Sequence, residues 1–545
     1  MHRSTIAVFP AEAWAEHQPL LQALTELYPV DFLAGQGPDL AHLDAALLFG
    51  VSRAQALRAG ESGRPCLAFI TEPGAGTCAV SGNVCFSTLP SLPPGLRGSS
   101  LPHSPLQVTT LTEQPGDTVV ARSSGRILWT QRLAGSSHVH LLAMEPPALP
   151  PDGYLFQIFK PTDWARLFPV LRFLRDVSDL KLPPLRACFM FDDPNLHWKS
   201  YGHVNYPRLL QHARTHNYHV SFATVPLDGW FTHKPTAALF RDNPDRLSLL
   251  VHGNNHTHRE LAQVLSEEER LALGAQALLR TACLERASGL SIPRVMAAPH
   301  GACSKAMAAV LLRLGFEAAC ISRGSIMAHN RDHAWRKAVG LQPAEFLENG
   351  LPIIPRFGLA PTCHTELLLA SSLGLPIILV GHHHEVAGGL DLLQQLADFI
   401  NSFGGVRWTD LGSIARSNFY SQRNGDLLHV RMYSRRINLT VPEGIEQVSV
   451  ERPWLKSQDN EPLSWRDGQS PPQMLPDYTG EPIQTRPGAH LEIRPVPPNA
   501  LDPVKVHLKR TPLWAIGRRQ LCEARDRVRP SVDWLRSLNR KNNGS

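Results

Sequence analysis

The sequence lacks long apolar segments and paired cysteines. No run approaches the about eighteen uninterrupted apolar residues that a membrane-spanning helix needs, so we expect no such helix. The start, MHRSTIAVFPAEAWAEHQ, also lacks the basic and apolar regions of a signal peptide, which favours a cytoplasmic protein. The nine cysteines form no CxxC pair, and their odd number and irregular spacing favour free thiols over a disulfide framework.

The first part of the chain also lacks a glycine-rich phosphate loop and a nucleophile elbow, so catalysis is not expected there. Strand-like runs alternate with helical patterns instead; the runs are TIAVF, VDFLA, AALLFG and PCLAFI. Later runs look like β hairpins. This alternation predicts a flavodoxin-like or amidotransferase-like α/β domain over residues 1–148.

Composition changes divide the rest of the chain. A proline-rich segment, EPPALPPDG at 145–153, predicts a linker. Strand–helix alternation over 154–417 predicts a second α/β domain, and short alternating runs over 418–510 predict a small β-sandwich. Residues 511–545 predict a basic helical tail that is broken at Pro530.

The positive charge is concentrated at the end of the chain. The net charge is +6, but residues 505–545 hold eleven Lys/Arg against three Asp/Glu, a surplus of +8. The remainder carries about −2 by the same count, so the sequence does not predict a nucleic-acid binder. The basic tail could contact a membrane surface or a protein partner.

Polar, ligand-type side chains follow several strand-like runs of the second domain. ACFMF precedes Asp192-Asp193, LSLLV precedes HGNNHTH, RVMAAP precedes His300-Gly301, and PIILVG precedes His382-His383-His384-Glu385. Continuous apolar strands that alternate with helices predict a parallel sheet buried on both faces. The carboxyl ends of such strands meet at one edge, so we expect these side chains to form one cluster.

The cluster has the residue types of a catalytic metal site. His252 and His256 are four residues apart, which would place both imidazoles on one face of a helical turn. A carboxylate from another strand would complete a His₂Asp set with an open position for water. A bound metal lowers the pKa of its water to around 7, and a second carboxylate could then act as the base. This division of roles would explain the adjacent aspartates.

These motifs, in this order, resemble the polysaccharide deacetylase family over residues 183–416. The resemblance implies an irregular (β/α) barrel. It also implies that Asp192 is the general base, that Asp193, His252 and His256 bind zinc or another divalent metal such as cobalt, nickel or manganese, and that His382 is the general acid. The histidine triplet leaves His383 or His384 as alternatives for the acid.

The sequence departs from the family pattern at three places. Pro194 and Asn195 follow the aspartates where the family usually has a small glycine. Ala297 stands where the family has an arginine that steadies the catalytic aspartate, so Arg294 or Arg356 is expected to replace it. The fourth family motif is not convincing, and NRDHAW, with Asp332 and Trp335, is the nearest candidate.

The resulting hypothesis is a metal-dependent hydrolase that removes acyl groups, such as acetyl, from a carbohydrate or polysaccharide. Candidate substrate-binding residues are Asn195, Trp198, His258, Pro299, His300, Gly301, Arg356 and His383. Two alternatives stay open: a non-catalytic carbohydrate-binding or assembly protein, and a hydrolase of C–N or glycosidic bonds. A glycosidase would need a second carboxylate about 5–10 Å across the cleft, for which Glu385 is the nearby candidate.

Overall fold

The computed structural model describes residues 1–35, 42–72, 74, 76–347, 350–455, 461–475 and 481–542, with side chains described up to residue 531. The fold is mixed α/β, as expected, and is built around four β-sheets and a two-stranded ribbon among the described residues. None of the described helices is apolar and long enough to cross a bilayer.

The N-terminal part forms one nine-stranded sheet. Its strands are β1 (Ser4–Phe9), β2 (Val30–Ala34), β3 (Ala45–Val51), β4 (Cys66–Ile70), β5 (Thr77–Phe86), β6 (Ser100–Thr109), β7 (Thr118–Ser123), β8 (Arg126–Ala134) and β9 (Ser137–Leu142), and its helices are α1 (Ala11–Glu16), α2 (Gln18–Leu27) and α3 (Arg53–Gly60). The strand order is β2-β1-β3-β4-β9-β8-β7-β5-β6. The four strand pairs from β2 to β9 in this order are parallel, and the four pairs from β9 to β6 are antiparallel, so the hairpins extend the same sheet.

The central part is a ten-stranded sheet surrounded by helices. The strands of this region are β10 (Arg186–Asp192), β11 (Ser200–Tyr201), β12 (Val204–Asn205), β13 (Val220–Thr224), β14 (Leu247–His252), β15 (Val295–Ala297), β16 (Ala318–Cys320), β17 (Glu345–Phe346), β18 (Pro352–Ile354), β19 (Phe357–Gly358), β20 (Ile377–Gly381) and β21 (Arg407–Trp408). Its helices are α4 (Leu155–Ile158), α5 (Phe168–Val177), α6 (Tyr206–Thr215), α7 (Lys234–Arg241), α8 (Glu267–Ser288), α9 (Lys305–Arg313), α10 (Arg323–His329), α11 (His364–Ser372), α12 (Asp391–Asn401) and α13 (Leu411–Arg416). β11 and β12 form the separate ribbon.

The central sheet places the site-bearing strands side by side. Its order is β17-β18-β16-β15-β14-β13-β10-β20-β19, with β21 also paired to β10. All pairs are parallel except β17 with β18. β18 and β19 lie near the two ends of this order and are separated in the chain by only Pro355 and Arg356. A closed barrel stays a prediction.

All seven residues of β10 are buried, which agrees with the apolar run RACFMF. Arg186, at the start of the strand, is buried because its guanidinium donates to the carbonyls of Ser417 (3.1 Å) and Gly374 (2.7 Å) and to Asn418 Oδ1 (3.0 Å). The buried strand therefore fixes the position of Asp192, its last residue, at the end of the sheet.

The last part has two four-stranded sheets and a long helix. The strands are β22 (Phe419–Asn424), β23 (Leu427–Met432), β24 (Ile437–Thr440), β25 (Gln447–Glu451), β26 (Leu463–Asp467), β27 (Gln473–Leu475), β28 (Ile483–Gln484) and β29 (His490–Pro495), and the helix is α14 (Leu513–Asn542). The sheets, β22-β23-β25-β28 and β24-β29-β26-β27, share a separate apolar core that includes Val430, Ile437 and Ile493.

The expected break at Pro530 is wrong, because α14 continues through it. A proline removes one N–H donor and its ring crowds the preceding turn, but here the helix is regular on both sides of Pro530. All nine cysteines are free, as the sequence predicted.

Candidate metal centre

The carboxyl ends of four neighbouring parallel strands, β15, β14, β13 and β10, lie at one edge of the central sheet, and β20 follows β10. Asp192 ends β10 and His252 ends β14, while His382 directly follows β20. The sheet therefore gathers the side chains that the sequence placed after separate strands.

Asp193, His252 and His256 form a compact group. Their ligand atoms all lie within 4.8 Å of one another. Asp193 Oδ1 is 3.1 Å from His256 Nε2 and 3.9 Å from His252 Nε2. Two ligands of a tetrahedral zinc ion are about 3.4 Å apart when each metal–ligand bond is about 2.1 Å. The three side chains therefore fit one zinc-sized ion, and we call them the candidate metal centre.

The orientation of His252 also suits a ligand. Its Nδ1 lies 3.0 Å from the carbonyl oxygen of Ala297, its register partner on β15. Donation from Nδ1 to that carbonyl leaves the lone pair of Nε2 free to face Asp193. Such a backbone contact is the usual way in which a metal-binding imidazole is held.

The protonation states of the group also suit metal binding. Burial lowers the pKa of His256 to about 3, although Asp193 opposes this shift. Burial alone would raise the pKa of Asp193, but His256, Arg519 and His252 hold it below its usual range. A neutral imidazole and a charged carboxylate are the forms that bind a divalent ion.

The expected helical turn between the two histidines is wrong. His252 ends β14, and Gly253 (φ 59°) and His256 (φ 55°) have left-handed backbone conformations. The imidazoles meet because the loop folds back, and the Gly-Asn-Asn sequence between them is typical of turns. Asp193 also has a positive φ, 85°. Positive φ at non-glycine residues is unusual and is concentrated at functional sites.

Glu260, which the sequence reasoning missed, holds this loop in place. Its buried carboxylate accepts from the backbone amides of Asn254 (2.6 Å), Asn255 (3.0 Å) and His256 (3.1 Å). Burial raises its pKa, and these amide hydrogen bonds oppose that shift. A Cβ on Gly253 would lie 2.1 Å from Glu260 Oε1, so only glycine fits there.

Asp192 has different partners from Asp193. Arg356 Nη1 donates to Asp192 Oδ2 at 3.2 Å, and both side chains are buried. Of the two arginines that the sequence left open, Arg356 thus contacts Asp192, whereas Arg294 pairs with Glu285. Asp192 Oδ1 is buried and has no hydrogen-bond partner among the described residues. This oxygen is available to a ligand or water.

The histidine triplet divides in two. His382 is exposed, its backbone amide donates to Glu385 Oε2 at 2.7 Å, and it is close enough to Asp193 to help lower the pKa of that carboxyl. His383 is buried, and its Nε2 lies 3.7 Å from Asp526 Oδ1. His382, His384 and Glu385 form a second, more exposed group of possible ligands.

The expected substrate-binding residues lie in two places. His300 is beside the candidate metal centre, with its ring 5.3 Å from that of His256 and 5.1 Å from that of His258. Pro299 is buried against Gly253, and a Cβ on Gly301 would meet Ser325.

The remaining expected residues lie next to α14. Asn195 is buried and its side chain donates to Asp228 Oδ2 at 3.1 Å. The Trp198 ring is 58% exposed and lies 5.7 Å from the Arg527 guanidinium. Their roles in substrate binding stay predictions. Asp332, from the candidate fourth motif, forms an ion pair with Lys305.

The chain matches no protein-family model, and no curated protein is similar to it in sequence. Among solved structures, it is similar to Agd3, described as a novel carbohydrate deacetylase, with a TM-score of 0.51 and 10% identity over 92% of this chain and 99% of that one. This likeness shows a shared fold, which is mixed α/β.

Two further structures match less of the chain. A putative polysaccharide deacetylase from Mycobacterium smegmatis has 16% identity and a TM-score of 0.31, covering 44% of this chain and 91% of its own. A family 4 carbohydrate esterase from Streptomyces lividans has 12% identity and a TM-score of 0.25, covering 42% and 92%.

Proposed function

We propose that this protein is a metal-dependent hydrolase that removes acyl groups, such as acetyl, from a carbohydrate or polysaccharide. The observation that carries the proposal is the pairing of two unlike carboxylates at one strand end. Asp193 lies in a His₂Asp group that fits one zinc-sized ion, while Asp192 lies outside that group with a free oxygen.

The residues have separate tasks in this proposal. Asp193, His252 and His256 hold zinc, or another divalent metal such as cobalt, nickel or manganese. The metal supplies a Lewis acid and a water of lowered pKa. Asp192 takes the proton of the attacking water through Oδ1, and Arg356 keeps this carboxylate in place. His382 gives a proton to the leaving amine or alcohol.

Three of the expected substrate-binding residues would contact the sugar. Trp198 offers an exposed aromatic face, and His258 and His300 lie beside the candidate metal centre. An aromatic ring packs on the apolar face of a pyranose, and imidazoles bind hydroxyl groups.

The test measures bound metal and hydrolysis in the same protein samples. Wild type should bind about one zinc ion and release acetate from acetylated sugar esters or N-acetyl-oligosaccharides. His252→Ala should lose the metal, and Asp192→Asn should keep it while losing about 10²–10⁴-fold in rate. Equal, near-zero zinc in wild type and His252→Ala would contradict the proposal, as would full activity of Asp192→Asn.

A further inference from the structure

The C-terminal helix α14 contacts the candidate metal centre directly. Arg519 Nη2 donates to the backbone carbonyl of Asp193 at 2.9 Å, and its Nη1 lies 3.4 Å from Asp193 Oδ1. Arg518, one residue earlier, donates to the carbonyl of His256. A guanidinium therefore lies beside the same carboxylate oxygen that faces both imidazoles. Two of the three candidate ligand residues are covered by a helix more than 250 positions away in the chain.

The face of α14 that points inward is charged. Arg519, Glu523 and Asp526 are 2%, 5% and 3% exposed. Their spacing of four and then three residues places them on one side of the helix. The side chains that a docked helix buries are usually apolar. Those of α14 are charged, so the surface that receives this helix must be polar.

That surface is polar and includes Asn195, His197, Tyr201, Asp228 and His383. Each of the three inward side chains of α14 pairs with a residue of this surface: Arg519 with Asp228 (2.6 Å), Glu523 with His197 (2.9 Å) and Asp526 with His383 (3.7 Å). The Tyr201 hydroxyl also donates to Asp526 Oδ2 at 3.1 Å. Amide, hydroxyl, imidazole and carboxylate groups of this kind bind sugar hydroxyls equally well.

The outward side of α14 carries a row of apolar side chains. Trp514, Leu521 and Val528 follow one another at seven-residue intervals and are 61%, 74% and 58% exposed. Several charged side chains of α14 are thus buried while several of its apolar side chains are exposed, which is unusual for a docked helix. Buried ion pairs add little net stability because their charges are well hydrated once they separate. This polarity suits a helix that can leave the surface.

We infer that α14 is an autoinhibitory helix that covers the polysaccharide-binding surface, so that a polymeric substrate reaches Asp192 only after α14 leaves. The inference rests on the proposed function and adds regulation to the same site. Arg527 extends the coverage, because it donates to Asn195 Oδ1 at 3.3 Å and lies over the Trp198 ring.

The experiment compares three full-length proteins: wild type, Glu523→Gln/Asp526→Asn and Gln520→Arg/Ala524→Arg. Both double variants raise the net charge by the same amount. The first removes two inward ion pairs, and the second changes only exposed positions of the same helix. Three quantities are measured: hydrogen exchange of the α14 amides, the association rate of Zn²⁺ alone, and hydrolysis of a soluble N-acetylated oligosaccharide.

In Glu523→Gln/Asp526→Asn we expect faster exchange of α14 and an increase of at least about tenfold in the rates of Zn²⁺ association and hydrolysis, since the open form is then more populated. The control variant should match wild type. The inference is overturned if α14 exchanges faster while zinc association and hydrolysis do not rise, or if α14 is already unprotected in wild type. Zinc binding without hydrolysis in every variant would instead overturn the proposed function, and zinc association alone would then decide the inference.

Discussion

Asp192 and Asp193 are adjacent, yet their side chains have different surroundings. Asp193 faces two imidazoles and a guanidinium, whereas Asp192 accepts from Arg356, and its Oδ1 has no hydrogen-bond partner in the described part of the chain. Adjacent carboxylates at a buried strand end repel each other unless cations lie beside them. Here Arg519 lies beside Asp193 and Arg356 lies beside Asp192, and these cations offset the repulsion between the two carboxylates.

Arg356 is the partner whose loss should separate these two functions. Arg356→Ala leaves the Asp192 carboxylate without its anchor, and a base displaced by about 1 Å costs roughly 100-fold in kcat. Zinc affinity should be unchanged, because among the described residues Arg356 donates to Asp192 and not to a residue of the candidate metal centre. Steady-state kinetics and zinc titration check both statements.

Arg294→Ala is the matched control, because Arg294 pairs with Glu285 instead. Equal activity losses in the two variants would mean that Arg356 does not act through Asp192.

Much of the site could be predicted at the scale of single residues. The types and order of Asp192, Asp193, His252 and His256 were sufficient, because strand ends of one parallel sheet must meet. Glu260 could not be found in this way: it acts through backbone amides, which every sequence contains, and a lone glutamate has no distinctive spacing.

At the scale of elements, the loop that joins β14 to α8 depends on Glu260. Glu260→Ala removes the acceptor of several buried amides and leaves them unsatisfied. We expect a lower melting temperature and a loss of about 10–100-fold in zinc affinity, since this carboxylate positions His256 from outside the ligand set. Calorimetry and zinc titration measure these effects.

Glu268→Ala, an exposed position in the first turn of α8, is the control and should change neither quantity much. Wild-type zinc affinity in Glu260→Ala would show that the loop does not need its carboxylate.

Docking of α14 should depend on pH through the pair of His197 and Glu523. Burial lowers the pKa of His197, but its contacts with Glu523 and the Asp228 carbonyl outweigh this effect and raise it above 6.5. Burial likewise opposes the shift of Glu523, whose pKa falls to about 2 because His197 and Arg527 pair with it. Three charged residues surround this pair: the Asp228 carbonyl lies against His197, Arg527 pairs with Glu523, and Arg519 pairs with Asp228.

The directions of these two pKa shifts define the pH range in which the docked form of α14 is most stable. A raised His197 pKa stabilises docking at low pH, and this contribution is lost as the pH rises through the docked pKa. A lowered Glu523 pKa stabilises docking above 4.5, and this contribution is lost as the pH falls towards about 2. The protection of the α14 amides, which compares their exchange rate with the intrinsic exchange rate at the same pH, should therefore be greatest in mildly acidic solution and smaller at alkaline pH. A profile that is the same in Glu523→Gln would contradict this assignment.

The apolar strands that precede the candidate site residues, such as β10, β14 and β20, could be predicted from their patterns, but the position of α14 could not. Its partners lie at Asp193, His197, Asp228 and His383, far away in the chain, and no local pattern records such contacts. The sequence also suggested a break at Pro530 because proline removes a helix hydrogen bond, yet α14 continues through it.

At the scale of the whole molecule, Glu317 joins the central sheet to the C-terminal strands. Its carboxylate accepts from Arg416 (2.9 Å) and Arg436 (3.2 Å), and its carbonyl accepts from the amide of Arg435. Glu317→Ala leaves two half-buried guanidinium groups without this partner and should lower the free energy of unfolding by about 2 kcal/mol, less than for a fully buried pair. Urea denaturation measures this loss.

Glu285→Ala provides the comparison, because its pair with Arg294 is more exposed and should contribute about 1 kcal/mol or less. An equal loss of stability in the two variants would mean that Glu317 has no special role between these parts of the molecule.

The central claim is that one divalent ion binds at the end of β10 and β14, and its direct test is anomalous diffraction from crystals grown with zinc. We expect one zinc ion at about 2.0–2.2 Å from the Asp193 carboxylate and from Nε2 of His252 and His256. An ion bound only by His384 and Glu385, with none at Asp193, would contradict it.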